Sequence, residues 1–126
     1  MPGDVRASAR RVVVSGVGAV SGFGWGVAPL WEGLRAGRTG LGPFARFDHA
    51  AHRTHLAAEA PAAPAELAAL VSGIPGWRRL SQADRFALFA AAEALAAAGL
   101  ASPLGETAGV FFGSSTGGMY EAELCY

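Results

Sequence analysis

The chain has 126 residues, room for one modest core, and its 52% hydrophobic and 16% charged content is that of a globular protein. Ten basic residues, all arginine, balance ten acids, so it lacks the basic face that nucleic-acid binding requires. The single cysteine, Cys125, excludes an internal disulfide and any multi-cysteine zinc site, and it suits a cytoplasmic protein.

From the N-terminus, "MPGDVRASARRVVVSG" carries basic residues, but its apolar run is only Val12, Val13 and Val14. A secretory signal needs an apolar core of roughly 7–15 residues. Residues 11–15 instead predict a short buried strand, β-branched and bounded by glycine. A glycine-rich loop follows, "GVGAVSGFGWG". Residues 27–37 predict an amphipathic helix: Pro29 suits its first turn, Leu30, Trp31 and Leu34 share a face, and Gly37 stops it.

Residues 39–47 hold too many glycines and prolines for a regular element. A weak strand is expected at 54–60, and a loop with one or two helical turns at 61–77. Residues 81–99 form the clearest helix. Ser81 and Asp84 resemble a capping box with the shorter acid, Phe86 and Phe89 lie together, Leu88 and Leu95 lie on another face, and Gly99 terminates it. Its alanine-rich body is apolar nearly all round, which predicts burial on several sides. It is also the longest apolar stretch, and Glu93 breaks it before the roughly 18 uncharged residues that a membrane span needs. The chain therefore reads as soluble. Residues 107–113 predict a second buried strand, "SSTGG" a turn, and 119–126 the start of a helix.

The glycine loop invites a nucleotide reading. A dinucleotide fingerprint needs G-x-G-x-x-G between strand and helix, and an acid about 20 residues on. Gly16 and Gly18 match, but Gly22 falls one place late and the helix begins only near Val27. The segment "AGRTG" has no acid and no strand, although Arg38 could meet a 2′-phosphate. No lysine exists to complete a P-loop. Tight turns and close backbone packing explain the glycines better. A nucleotide-binding oxidoreductase fragment stands third among the functional readings.

Taken whole, the same region resembles the opening of a β-ketoacyl-acyl-carrier-protein synthase. Ser15-Gly16-Val17-Gly18-Ala19-Val20-Ser21 fills the family's first motif. Leu30-Trp31-Glu32-Gly33-Leu34, Ala36-Gly37-Arg38-Thr39-Gly40-Leu41 and Arg46-Phe47-Asp48 follow in order. "ADRFALFAAAEALAAAGL" is similar to the family's Asp-Arg-Phe helix, and "AGVFFGSSTGG" to its next strand and Gly-Gly turn. The stretch 50–79 matches poorly.

The resemblance implies an α/β chain forming the incomplete N-terminal part of a thiolase-like fold, a layered helix–sheet architecture, over residues 1–126. It implies decarboxylative condensation of acyl and malonyl thioesters in fatty-acid or polyketide biosynthesis, with no dissociable cofactor. An acyl carrier protein and a second synthase subunit are the implied partners. In the family the nucleophilic cysteine lies several tens of residues beyond the Gly-Gly turn and the histidines later still. No catalytic, cofactor-binding or metal-binding residue is therefore expected here, and the chain alone is expected to be inactive. A non-catalytic, synthase-like partner subunit is the second reading.

Three features are weighed as rival sites. Cys125, in "AELCY", stands at the wrong place relative to the turn and reads as an incidental thiol. His49, His52 and His55 have i, i+3, i+6 spacing, which on a helix would not converge, so they read as solvated loop residues rather than metal ligands. Ser114, Ser115 and Thr116 lack an evident base and read as a turn whose hydroxyls bond the backbone. Two apolar strands without partners also predict that the isolated chain is poorly soluble or partly disordered.

Overall fold

The computed structural model describes residues 11–43, 46–101 and 103–123. Val20–Ser21 (β1) and Gly24–Trp25 (β2) form a small antiparallel hairpin, pairing Val20 with Trp25 and Ser21 with Gly24. Helix α1, Val27–Arg35, follows at once. Gly42–Pro43 (β3) pairs antiparallel with Leu56–Ala57 (β4) across a long loop. Helix α2, Ala65–Ser72, leads through a 3-10 turn, Trp77–Arg79, into α3, Gln82–Ala97, and a short α4 covers Met119–Glu123.

The helix ends follow the sequence closely. At α3 the Ser81 hydroxyl accepts the Asp84 N–H at 3.1 Å while Asp84 Oδ2 accepts the Ser81 N–H at 2.9 Å, the reciprocal box expected. Beyond its last turn Gly99 takes φ 67°, its N–H bonds the Ala96 carbonyl, and the Leu100 N–H returns to Leu95 at 2.9 Å. Helix α1 ends the same way, with Gly37 N–H on Leu34 and Arg38 N–H on Gly33, each at 3.0 Å. Two bonds of this kind satisfy carbonyls that the helix would otherwise leave open.

Helix α3 is the element against which the others assemble. Helix α2 packs on it and buries Leu67 and Val71, the two buried hydrophobic side chains among the residues described. On the face carrying Phe86 and Phe89, Trp25 sits edge-on to both rings, each 5.2 Å away between centroids. The Trp25 indole N–H donates to the Pro61 carbonyl at 2.9 Å, so one side chain joins the first hairpin, α3 and the segment before α2.

Three expectations are corrected. Residues 11–15 form no strand and Val12, Val13 and Val14 are exposed; residues 107–113 likewise form no strand and Val110, Phe111 and Phe112 are exposed. A strand exists only through the ladder it makes, and no described backbone pairs with either segment. Helix α3, expected to be buried, has no fully buried residue, because α2 and the first hairpin cover only part of its circumference. The weak strand at 54–60 is present as β4, and its partner β3 arises inside the segment expected to be irregular. The fold thus mixes helices with two small antiparallel sheets. No helix among the described residues is long and apolar enough to cross a membrane.

Candidate functional site

The glycine-rich loop is clamped by a single carboxylate. From α3, Glu93 Oε2 accepts the Ala19 N–H at 2.9 Å and Glu93 Oε1 accepts the Val27 N–H at 2.8 Å. Ala19 and Gly26 also close the hairpin directly, the Gly26 N–H reaching the Ala19 carbonyl at 2.8 Å. Val27 opens α1, whose first turn has no acid of its own, and Gly26 before it has no side chain to cap the helix. Glu93 supplies both the missing acceptor and a negative charge at the positive end of the helix.

This geometry explains why glycine stands where it does. A methyl group on Gly18 would overlap the Ala90 carbonyl, and one on Gly16 would overlap that of Ala94. The extended chain at 16–18 therefore lies against α3 backbone to backbone. Both features oppose a phosphate. The backbone face of the loop is occupied by α3, and the α1 N-terminus already holds a carboxylate. Arg38, considered for a 2′-phosphate, instead lies over the Phe23 ring, 5.8 Å from its centroid.

A second polar cluster joins three sequence-distant segments. The Arg46 guanidinium donates to Gln82 Oε1 at the start of α3 and lies 3.7 Å from Glu121 Oε1 in α4. The same Glu121 oxygen accepts the Gln82 backbone N–H at 2.9 Å. That bond foremost, then one from its own backbone and the Arg46 charge, holds the Glu121 carboxyl below its ordinary 4.5, against opposing effects of burial and Asp84. An open cleft of about 500 Å³ lies beside this cluster, bounded by Arg46, Phe47, Ala57–Ala60, Gln82 and Phe86, and its lining includes no cysteine, serine or histidine. Within α3, the Arg85 Nε is buried with no hydrogen-bond partner among the described residues.

The rival sites resolve individually. His49 and His55 do converge, with Nδ1 atoms 2.8 Å apart, because the segment is a turn closed by His52 N–H on the His49 carbonyl and not a helix. His52 turns away to stack edge-on with Phe47 at 5.8 Å. Among the described residues no group of three or more histidine, cysteine or acidic side chains could hold a metal. The Ser114 hydroxyl accepts the Gly117 N–H at 3.0 Å, a turn bond. Cys125 lies outside the described residues.

Residues 9–125 match the family model described as the N-terminal domain of beta-ketoacyl synthase. The chain belongs to the β-ketoacyl synthase family. A 3-oxoacyl-[acyl-carrier-protein] synthase 2 of Coxiella burnetii is 37% identical over 121 residues, 93% of this chain and 28% of the relative. An oxytetracycline polyketide putative beta-ketoacyl synthase 1 of Streptomyces rimosus is 40% identical over 112 residues, 86% of this chain and 25% of the relative. Two actinorhodin polyketide proteins of Streptomyces coelicolor also match: putative beta-ketoacyl synthase 1, 38% identical over 91 residues (72% of this chain, 19% of the relative), and putative beta-ketoacyl synthase 2, 44% identical over 48 residues (38% and 12%). The chain thus spans about a quarter of the length of the Coxiella and Streptomyces rimosus relatives. Of the motifs read from the sequence, Glu93 joins the glycine loop and α1 to α3, and Arg46 of Arg46-Phe47-Asp48 meets Gln82 at the start of α3 and Glu121 of α4.

Proposed function

We propose that this chain contributes the N-terminal scaffold of a β-ketoacyl-acyl-carrier-protein synthase. The observation that carries this reading is the family match across 9–125, within which the quoted motifs occur in order. The proposed reaction begins when a cysteine thiolate attacks an acyl thioester and expels the carrier thiol. A malonyl thioester then loses carbon dioxide, and its α-carbon attacks the enzyme-bound acyl group, releasing the cysteine and forming the β-keto thioester. Donors for the negative charge that develops on the thioester oxygens complete the chemistry.

None of these groups is assigned to residues of this chain. Its part is mechanical: Glu93 fixes the loop and α1 to α3, and the Arg46–Glu121 cluster sets the direction of α4. Alone, the chain is expected to be inactive. The reading is supported by relatives named as 3-oxoacyl-[acyl-carrier-protein] and polyketide beta-ketoacyl synthases, and the partners in it are an acyl carrier protein and a second synthase subunit. The test joins residues 1–123 to the part of the Coxiella synthase that lies outside its matched region and measures condensation. Activity supports the reading, and a folded but inactive protein opposes it.

A second reading, a non-catalytic synthase-like partner subunit, draws on the matches to both synthase 1 and synthase 2 of one organism. Co-purification with an active synthase whose condensation rate rises in its presence would favour it.

A further inference from the structure

The turn before β4 brings two imidazoles to one point and holds both by their backbones. His49 Nδ1 and His55 Nδ1 are 2.8 Å apart, with the ring centroids 5.1 Å apart and the planes tilted by 50°. The Asp48 carboxylate accepts the Ala50 N–H at 3.0 Å and the His49 carbonyl accepts the His52 N–H at 3.0 Å, which fixes the bend at His49. His55 directly precedes β4, whose Leu56 and Ala57 pair with Pro43 and Gly42. One imidazole is thus set by a closed turn and the other by a sheet ladder. His52, between them, is drawn off by its edge-on contact with Phe47.

A hydrogen bond between two Nδ1 atoms uses one proton: one ring donates and the other accepts. With a cation in place of that proton both nitrogens donate electron pairs, and each ring carries its own proton on Nε2. The spacing selects the cation. Two bonds of about 2.0 Å that meet at a right angle span about 2.8 Å, whereas at the tetrahedral angle of zinc they span about 3.3 Å. Right-angled imidazole nitrogens suit Cu(II) and Ni(II), and Cu(II) stands highest in the affinity order of the divalent first-row metals. Among the described residues no third histidine, cysteine or acidic side chain completes the set. The pair therefore supplies two neighbouring ligands and solvent supplies the rest.

We propose that His49 and His55 form a two-histidine site for a divalent transition cation, Cu(II) foremost, bound through both Nδ1 atoms at right angles. The bound cation ties the turn to the residue that opens β4 and so fastens the β3–β4 pair. Both ligands and the bonds that place them lie between β3 and β4, so the site does not depend on the synthase reading.

The test titrates Cu(II) into the full, untagged chain carrying Cys125→Ser, since a free thiol would reduce the ion, and follows it by electron paramagnetic resonance. The expected result is one ion per chain with hyperfine coupling to two imidazole nitrogens. Amide exchange at 56–57 is expected to slow about 10-fold when free Cu(II) is about ten times its dissociation constant. His49→Ala and His55→Ala are each expected to weaken binding at least about 10-fold, and His52→Ala to leave it unchanged. Absence of coupling to two nitrogens overturns the proposal. An equal loss of affinity in His52→Ala overturns it too, because the three histidines would then act as an unordered cluster. So does equal affinity in the chain unfolded by urea, which would show that the turn and the ladder contribute nothing.

Discussion

Glu93 accepts a 2.8 Å hydrogen bond from the backbone N–H of Val27, 66 residues earlier in the chain. With its other oxygen on Ala19, the same carboxylate holds the two ends of the glycine hairpin. Replacing it with alanine leaves two half-buried N–H groups without acceptors, at a cost of about 1–3 kcal/mol each where water cannot substitute. Amide exchange at Ala19 and Val27 is expected to accelerate about 10- to 100-fold in Glu93→Ala. Glu93→Gln, which keeps one good acceptor, should protect one of the two. Unchanged exchange at both positions in Glu93→Ala would show that the clamp is not formed.

The close approach of the loop to α3 makes a contrasting pair of glycines. Gly18→Ala drives a methyl group into the Ala90 carbonyl and is expected to cost about 1–3 kcal/mol by pushing the hairpin away. It should therefore expose Ala19 and Val27 to exchange much as loss of Glu93 does. Gly42→Ala meets nothing within 4 Å and has no left-handed backbone to strain, so it is expected to be neutral. Equal behaviour of the two variants would contradict the packing.

Much of the local architecture was legible because its causes are local. The Ser81–Asp84 box, the stops at Gly37 and Gly99, and the shared face of Phe86 and Phe89 each depend on residues within one or two turns. Pairing is not local, so the β-branched run at 12–14 could announce a strand without revealing that no described partner lies beside it. Glu93 left one signal, a lone acid inside an apolar helix, but nothing near it identifies Ala19 and Val27 as its donors. The Arg46–Gln82–Glu121 cluster left none. For the histidines, helical geometry was the wrong template: a turn at His49 brings His55 back to it.

The Glu121 contact gives a pH dependence. Its folded-state value is depressed below 4.5, chiefly by the Gln82 backbone bond, so its contribution is fully present above that value and is lost as pH falls through the lower, folded one. The Gln82 amide resonance is expected to titrate with a midpoint under 4.5 and to lose that titration in Glu121→Gln. A midpoint at or above 4.5 would mean the bond does not favour the carboxylate. The pair is half exposed, so salt is expected to weaken the Arg46 part more than the Gln82 bond.

With Leu67 and Val71 the only buried hydrophobic side chains among the described residues, the isolated chain has little to melt as a unit. Scanning calorimetry of the purified monomer is expected to show a broad, shallow transition in place of a sharp peak. Helicity from α3 should persist, since its caps are satisfied within its own sequence. A sharp, cooperative heat-absorption peak from the monomer would contradict this.

The most direct measurement is condensation by residues 1–123 joined to the Coxiella synthase from which the matched region has been removed. The account predicts that the joined protein forms β-keto thioester at a rate within about 100-fold of the parent, a loss of up to roughly 2.7 kcal/mol from imperfect packing across the junction. It also predicts that Glu93→Ala lowers this rate while leaving the product unchanged, because Glu93 positions the scaffold and touches no substrate. A joined protein that folds, carries the parent's cysteine and histidines, and yet forms no product would contradict the assignment of this chain as a synthase scaffold.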